Sequence, residues 1–205
     1  SRDLFDQERR PIEPQTEPEP RWVQVIPTTP TIRHGYPVGM SENALNRTPL
    51  FARHGQQGAK LVPFAGWEMP LHFGSILEEH HATRNSGSIF DVSHMGRLSI
   101  TGPAAESLLE RVVTRKIAGM KDGQARYGLA CQEDGGTIDD LIVNRMGPED
   151  FLVVCNGANR EAVVQHLRAH NEHGADISDD TMGSTMVAVQ GPAAVERMTL
   201  SLIHI

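Results

Sequence analysis

The sequence of 205 residues contains only two cysteines, Cys131 and Cys155. Their separation matches neither a metal-binding nor a redox motif, which excludes a cysteine-ligated zinc site and a disulfide framework. Both cysteines lie in apolar, strand-like surroundings. The sequence therefore predicts two buried, reduced thiols.

Long apolar runs and an excess of positive charge are missing as well. No apolar stretch approaches the roughly 18 residues that a membrane-spanning helix needs. Acidic residues outnumber basic ones, 26 to 19, and the net charge of −7 argues against a broad nucleic-acid surface. We therefore expect a cytoplasmic protein that binds neither membranes nor nucleic acids.

Both ends of the chain differ in composition from the middle. Residues 1–39 hold 7 of the 13 prolines, and their lack of apolar periodicity is typical of disorder. They are interpreted as a disordered or non-native extension, with Met40 as the natural start; a genuine disordered tail is the alternative. Residues 200–205 match the translation of a transposon end that is used to build sequencing libraries, so we expect a truncated gene. The functional region is then residues 40–199.

The most informative stretch of the chain is Gly135–Val143, a glycine pair followed by two aspartates and an aliphatic run. Side chains alternate between faces along a strand, so Asp139 and Asp140 are expected to point in opposite directions. One carboxylate can then face a ligand while the other faces solvent or a structural partner. A turn with two solvated aspartates is the simpler interpretation.

Elsewhere in residues 40–199, strand and helix patterns alternate. Ser75 and Glu78 form a capping box that predicts a helix from about Ile76 to Asn85. Arg97–Ile100 alternates as a strand should, and Asn159 is expected to cap a helix that runs to about His170. These patterns predict an α+β fold with mixed or antiparallel sheets and flanking helices.

Two kinds of site have weak or no support in the sequence. The run Glu78, Glu79, His80, His81 matches no helical metal-binding motif, so we predict exposed helical charge and no metal. Neither a Walker loop nor a dinucleotide-binding glycine fingerprint is present.

Five blocks of the sequence resemble, in order and spacing, the aminomethyltransferase family of the glycine cleavage system, the T-protein family. The blocks are Arg47–Phe51, Gly58–Pro70, Ile89–Gly96, Gly135–Val143 and Val154–Arg160. The resemblance runs from about Met40 to Met198. It implies the folate-binding N-terminal region of the T-protein fold, without that enzyme's C-terminal barrel.

The resemblance also implies a reaction. The aminomethyl carbon carried by the lipoylated H-protein is transferred to tetrahydrofolate, the co-substrate, and ammonia is released. The later folate contacts of the family fall beyond Met198, so we expect the chain alone to be inactive and to bind folate weakly or not at all.

Alignment with the family places Asp140 on its functional aspartate, with Asp139 as second choice for the catalytic carboxylate. Residues at further positions that match the family's folate site are Tyr127, Asn156, Asn159, Met95 and Ile142. Tyr127 is expected to stack on or hydrogen-bond the pterin, and Asn156 to offer it both a donor and an acceptor. His94 is interpreted as a structural histidine.

Two departures from the family pattern affect the predicted pocket. Asn144 stands where an aromatic residue is usual, and Gly128 follows Tyr127 in place of serine or threonine. Alternative functions are another folate-dependent member of the superfamily, such as a demethylase or the folate domain of a sarcosine or dimethylglycine dehydrogenase. A non-catalytic folate-binding or iron–sulfur assembly protein of the same fold is a further alternative.

Overall fold

The structure, a computed structural model, describes residues 45–202. The prediction for residues 1–39 lies outside this range, as do residues 203–205 of the prediction for 200–205. The strands within it are β1 (Asn46–Arg47), β2 (Lys60–Phe64), β3 (Trp67–His72), β4 (Ser88–Asp91), β5 (Gly96–Thr101), β6 (Ala125–Cys131), β7 (Thr137–Gly147), β8 (Asp150–Cys155), β9 (Asp176–Asp179) and β10 (Val187–Gln190). The helices are α1 (Phe51–Gln56), α2 (Ile76–Asn85), α3 (Ala105–Val112), α4 (Arg160–Ala169) and α5 (Ala194–Leu202).

The largest sheet has five strands in the order β6-β7-β8-β5-β9, and every neighbouring pair is antiparallel. Helices α3 and α4 cover one face, which we call the inner face, because their apolar residues form one buried cluster with those of the strands. The cluster includes Leu98, Ile100, Leu108, Leu109, Val143, Phe151, Val153, Val163 and Leu167. The other face, here the outer face, carries half-buried and exposed residues at the alternate positions, with the buried Arg97 of β5 as an exception. The predicted α+β fold is confirmed.

Two smaller sheets complete the described part of the chain. One has the order β1-β3-β2, in which β1 runs parallel and β2 antiparallel to β3, and the other pairs β4 with β10 antiparallel. Trp67 and Met69 of β3 are buried, whereas Leu71 and Phe73 are exposed. No helix within residues 45–202 is long and apolar enough to cross a membrane.

The start of α2 follows the sequence pattern in part. The Ser75 hydroxyl accepts a hydrogen bond from the backbone N–H of Glu78, so the predicted serine cap and the helix Ile76–Asn85 are confirmed. The carboxylate that accepts backbone N–H groups before this helix is that of Glu79, in place of the predicted Glu78. Gly102 and Gly191, which end β5 and β10 before a helix, have φ angles of 95° and 112°. Non-glycine residues rarely adopt such angles, so glycine is required at both turns.

A buried carboxylate attaches α1 and the residues before it to β4. Asp91 Oδ2 accepts the hydroxyl of Thr48 at 2.6 Å and lies 2.7 Å from His54 Nε2, and Asp91 Oδ1 accepts the Ser93 backbone N–H at 2.9 Å. Burial opposes ionisation of Asp91, but the hydrogen bonds from Ser93, Thr48 and His54 outweigh it and hold its pKa below the ordinary value. These hydrogen bonds therefore hold an ionised carboxylate between α1 and β4.

Candidate functional site

The glycine pair forms the turn of the β6–β7 hairpin. Gly135 has a φ of 89°, and the backbone N–H of Gln132 donates to the Gly136 carbonyl at 2.7 Å. This turn sets the register in which Asp139 pairs with Ala130 and Asp140 with Leu129. Neighbouring residues on a strand face opposite sides, so the turn decides which aspartate is buried.

Asp139 points to the inner face and is only 2% exposed. Its Oδ2 accepts the backbone N–H of Asn156 at 2.8 Å. Its Oδ1 accepts the side-chain amides of Asn156, at 3.0 Å, and of Asn159, at 2.7 Å. Three N–H donors therefore compensate the burial of this carboxylate.

Asp140 points to the outer face and is exposed. Its Oδ2 accepts the Tyr127 hydroxyl at 2.5 Å, and its Oδ1 accepts the Asn156 side-chain amide at 2.9 Å. The hydrogen bond to Asp140 raises the pKa of the Tyr127 hydroxyl above its ordinary value. The predicted separation of the two aspartates is thus present, with Asp140 on the accessible side.

The pairing of β6, β7 and β8 brings other predicted residues close to Asp140. Tyr127 pairs with Ile142, and Ile142 with Val154, across β6, β7 and β8. One step along, Leu129 pairs with Asp140. The tyrosine is 60% exposed, so the face of its ring is accessible from solvent.

Met95 and Asn156 lie at the same end of the sheet. Gly96 pairs with Cys155. Met95 comes directly before Gly96 in the chain, and Asn156 comes directly after Cys155. Met95 is half-buried, as is Asn156. Two adjacent rows across the outer face therefore hold Asp140, the predicted catalytic residue, and four residues predicted for the folate site: Tyr127, Ile142, Asn156 and Met95.

Asn159 does not behave as predicted. It occupies the N-cap position of α4, but its side chain makes no capping hydrogen bond with that helix. The amide instead donates to Asp139 Oδ1. The prediction of a side-chain cap is therefore wrong: the charge-assisted hydrogen bond turns the side chain toward the buried carboxylate, and its oxygen accepts no backbone N–H of the helix.

Arg97 is a contributor to the site that sequence reasoning missed. It is fully buried, and its Nη1 donates to the carbonyl oxygens of Ser93, at 3.0 Å, and Met95, at 2.6 Å. Its Nη2 donates to the carbonyl oxygens of Thr181 and Ser184. The alternation of β5 indicates only that Arg97 faces outward; the residues that cover it come more than eighty positions later, beyond the reach of a local pattern.

His94 lies between Phe64 and the backbone that follows Asn156. Its ring lies edge-on to Phe64, with 5.4 Å between centroids, and burial lowers its pKa, with Asp91 opposing the effect. A Cβ on Gly157 would lie 2.4 Å from the His94 carbonyl oxygen, so only glycine fits after Asn156. These contacts agree with the interpretation of His94 as a structural residue.

The two thiols differ in environment. Cys155 is buried on the inner face, where desolvation raises its pKa to about 12. Cys131, at the end of β6, is only partly buried. Burial was predicted for both, so the prediction is confirmed for Cys155 and too strong for Cys131.

The sequence of this chain matches a known protein family. The family model described as the GCVT N-terminal domain matches residues 50–202. The chain belongs to this family.

Individual relatives agree with the family assignment. An aminomethyltransferase from Rubrobacter xylanophilus is 47% identical over 158 residues, which cover 77% of this chain and 42% of the relative. An aminomethyltransferase from Oceanobacillus iheyensis is 44% identical over 160 residues, covering 77% and 43%. The crystal structure of the glycine cleavage system aminomethyltransferase T from Bartonella henselae superposes with a TM-score of 0.74 at 32% identity, over 77% of this chain and 44% of that one. The chain thus spans less than half the length of the relatives it matches.

Within this GCVT N-terminal domain, the outer-face site offers mainly hydrogen-bond acceptors. The carboxylate of Asp140 is an acceptor, and the hydroxyl hydrogen of Tyr127 is already donated to it. Ile142 and Met95 add apolar surface beside an accessible aromatic ring. Such a set suits a flat heterocycle that presents N–H groups.

Asn144, which departs from the family pattern, lies on the same face. Its side-chain amide donates to the Leu152 carbonyl oxygen at 3.1 Å, across the β7–β8 pair. The amide thus ties the two strands together, whereas the usual aromatic residue would present a ring.

Proposed function

We propose that this chain provides the folate-binding part of a tetrahydrofolate-dependent aminomethyltransferase of the glycine cleavage system. In the cytoplasm, such an enzyme moves the aminomethyl carbon from the lipoylated H-protein to tetrahydrofolate and releases ammonia. The observation that carries the proposal is the carboxylate of Asp140, exposed on the outer face between the Tyr127 hydroxyl and the Asn156 amide. Membership in the GCVT N-terminal domain family and the named relatives support it.

The residues present fit a pterin. Tyr127 offers an accessible ring for stacking, and Ile142 and Met95 offer apolar contact. Asp140 accepts hydrogen bonds from ring N–H groups. Bound tetrahydrofolate supplies the nitrogen nucleophile that takes up the one-carbon unit.

The carboxylate of Asp140 provides a negative charge at a fixed position. Its two oxygens are oriented by the Tyr127 hydroxyl and the Asn156 amide, so little reorganisation is needed when positive charge develops on the transferred carbon and its nitrogens. Tyr127 is protonated at neutral pH, since the ordinary pKa of tyrosine is about 10 and the hydrogen bond to Asp140 raises the pKa of Tyr127 further. Asp139 does not reach the outer face, which makes Asp140 the better candidate for the catalytic carboxylate.

The decisive experiment uses a chimera that joins this chain to the remaining part of the Rubrobacter xylanophilus relative. With lipoylated H-protein and tetrahydrofolate as substrates, Asp140→Asn should lower kcat by about a hundredfold or more, because the charge is lost at constant size. Asp150→Asn is the matched control: Asp150 is also exposed on this sheet, at the start of β8, and should leave kcat unchanged.

The outcomes of this experiment distinguish the candidate functions. Equal effects of the two substitutions would refute the role of Asp140. An active chimera that uses other amine donors but not the H-protein would favour another folate-dependent enzyme of the superfamily. Folate binding without turnover in the chimera would favour a non-catalytic folate-binding protein. For the 205-residue chain alone we expect no turnover.

A further inference from the structure

The side chain of Asn156 lies between the two aspartates. Its Nδ2 donates to Asp139 Oδ1 at 3.0 Å and to Asp140 Oδ1 at 2.9 Å, with the Asp140 carbonyl oxygen at 3.2 Å. An amide nitrogen carries two hydrogens, so both are committed to carboxylate oxygens.

The amide is fixed in this orientation. Rotation by 180° would place the carbonyl oxygen of Asn156 about 3 Å from two carboxylate oxygens, which would repel it and lose both charge-assisted hydrogen bonds. The Oδ1 of Asn156 must therefore point away from Asp139 and Asp140. The expectation that Asn156 offers a ligand both a donor and an acceptor is corrected: it offers an acceptor alone.

Asp139 imposes this orientation from the buried side. The backbone N–H of Asn156 and the amide of Asn159 hold the Asp139 carboxylate at 2.8 and 2.7 Å, so its Oδ1 stays aimed at the Asn156 side chain. At 2% exposure, Asp139 itself is shielded from any ligand on the outer face. Asn159 in turn acts on Asn156 only through Asp139.

We propose that Asp139 and Asn159 are positioning residues that keep Asn156 a pure hydrogen-bond acceptor beside Asp140, so that the site selects ligands with ring N–H donors. This selectivity rests on the proposed function, whereas the orientation of Asn156 does not. The reduced pterin ring of tetrahydrofolate carries N–H groups where fully oxidised folic acid has bare ring nitrogens, which are acceptors. Two acceptors that face each other leave both unpaired, so the site should favour the reduced form.

The first arm of the test needs no ligand. In the ¹⁵N-labelled 205-residue chain, the side-chain amide of Asn156 should give two well-separated proton signals with slow solvent exchange. Asp139→Asn should accelerate that exchange at least about tenfold and shift the signals, since loss of one charge-assisted bond has this order of effect. Asn159→Ala, which removes one donor on Asp139, should act in the same direction but less strongly.

Asn171→Ala is the matched control, because the Asn171 amide makes two hydrogen bonds to the backbone of Ala175 and touches none of these residues. It should leave the Asn156 signals unchanged. Wild-type Asn156 signals in folded Asp139→Asn and Asn159→Ala would overturn the proposal. Should Asp139→Asn fail to fold, Asn159→Ala alone decides.

The second arm measures selectivity in the chimera, with the dissociation constants of tetrahydrofolate and folic acid measured anaerobically. The preference for tetrahydrofolate should fall at least about fivefold in Asp139→Asn, because only the carboxylate of Asp140 then opposes a rotation that presents the Asn156 amide to an acceptor. Rescue of the preference by Asp139→Glu, which restores a carboxylate, would support positioning by charge. An unchanged preference in Asp139→Asn would overturn the selectivity. A chimera that binds neither compound would refute the proposed function, and the first arm would still decide the orientation.

Discussion

The two faces of the five-stranded sheet are built from the same strands but obey different constraints. On the inner face, Leu98, Phe151 and Val153 are fully buried beneath α3 and α4. On the outer face, the residues at alternate positions are half-buried or exposed, except for the buried Arg97, and Tyr127 and Asp140 lie among them. The inner face therefore determines stability, and the outer face is free to carry a binding site.

Asp139 and Asp140 reproduce this contrast within two residues. The buried one is fully hydrogen-bonded within the protein, and the exposed one keeps lone pairs for a ligand. A pair of identical side chains thus has two roles, and the pleat of one strand assigns them.

The largest contrast between buried and accessible groups is expected for the thiols. At pH 8 the thiolate of Cys155 should be about a thousandfold rarer than that of an ordinary thiol, because desolvation raises its pKa from 9.0 to about 12. With Ellman's reagent, Cys131 should react readily in the native chain and Cys155 only after unfolding in guanidinium. Equal reaction rates of the two thiols in the native chain would show that the reagent reaches the inner face.

Substitution of one leucine on each face measures the difference in packing. Leu98→Ala on the inner face should lower the free energy of unfolding by about 2–5 kcal/mol, because a cavity remains in a closed core. Leu152→Ala, on the half-buried outer face of neighbouring β8, should cost less than half as much. Urea titrations monitored by circular dichroism provide both values, and similar losses would contradict the contrast.

The aspartates provide the third comparison. Asp139→Ala leaves three N–H donors without their acceptor and should lower the free energy of unfolding by at least about 2 kcal/mol. Asp140→Ala should change it by no more than about 0.5 kcal/mol, because water replaces the carboxylate at an exposed position. The same urea titrations provide both values. A larger loss for Asp140→Ala than for Asp139→Ala would show that Asp140, and not Asp139, has the structural role.

The smallest expected effect is a shift in the titration of Tyr127. The hydrogen bond to the carboxylate of Asp140 raises the tyrosine pKa, so the hydroxyl of the native chain should ionise above its ordinary range. Asp140→Asn removes the negative charge, and the pKa of Tyr127 should fall toward the ordinary value of about 10. The chain has two tyrosines, so absorbance at 295 nm is followed in a Tyr36→Phe background that isolates Tyr127. No change on Asp140→Asn would indicate that the hydrogen bond is not formed in solution.

Local sequence patterns predicted much of this architecture because short-range physics decides those features. The serine cap at Ser75 marked the start of α2, and alternation identified β5 and the opposite directions of Asp139 and Asp140. The family resemblance placed Asp140 as the catalytic candidate, and the structure puts it on the accessible face. The role of Asn159 was misjudged, since a cap is a local expectation and the competing Asp139 comes from another strand.

By itself, the sequence determined the family, the α+β class and the set of residues that alternate onto one face of β6 and β7, because these depend on residue type and period. Only the tertiary structure decided how those residues interact. Arg97 is held by carbonyl groups from a distant loop, and Asn156, directly after β8, is held by two carboxylates of the neighbouring strand β7. Hydrogen-bond partners from separate parts of the chain meet only when the sheet has formed, so the orientation of a single amide is a property of the fold.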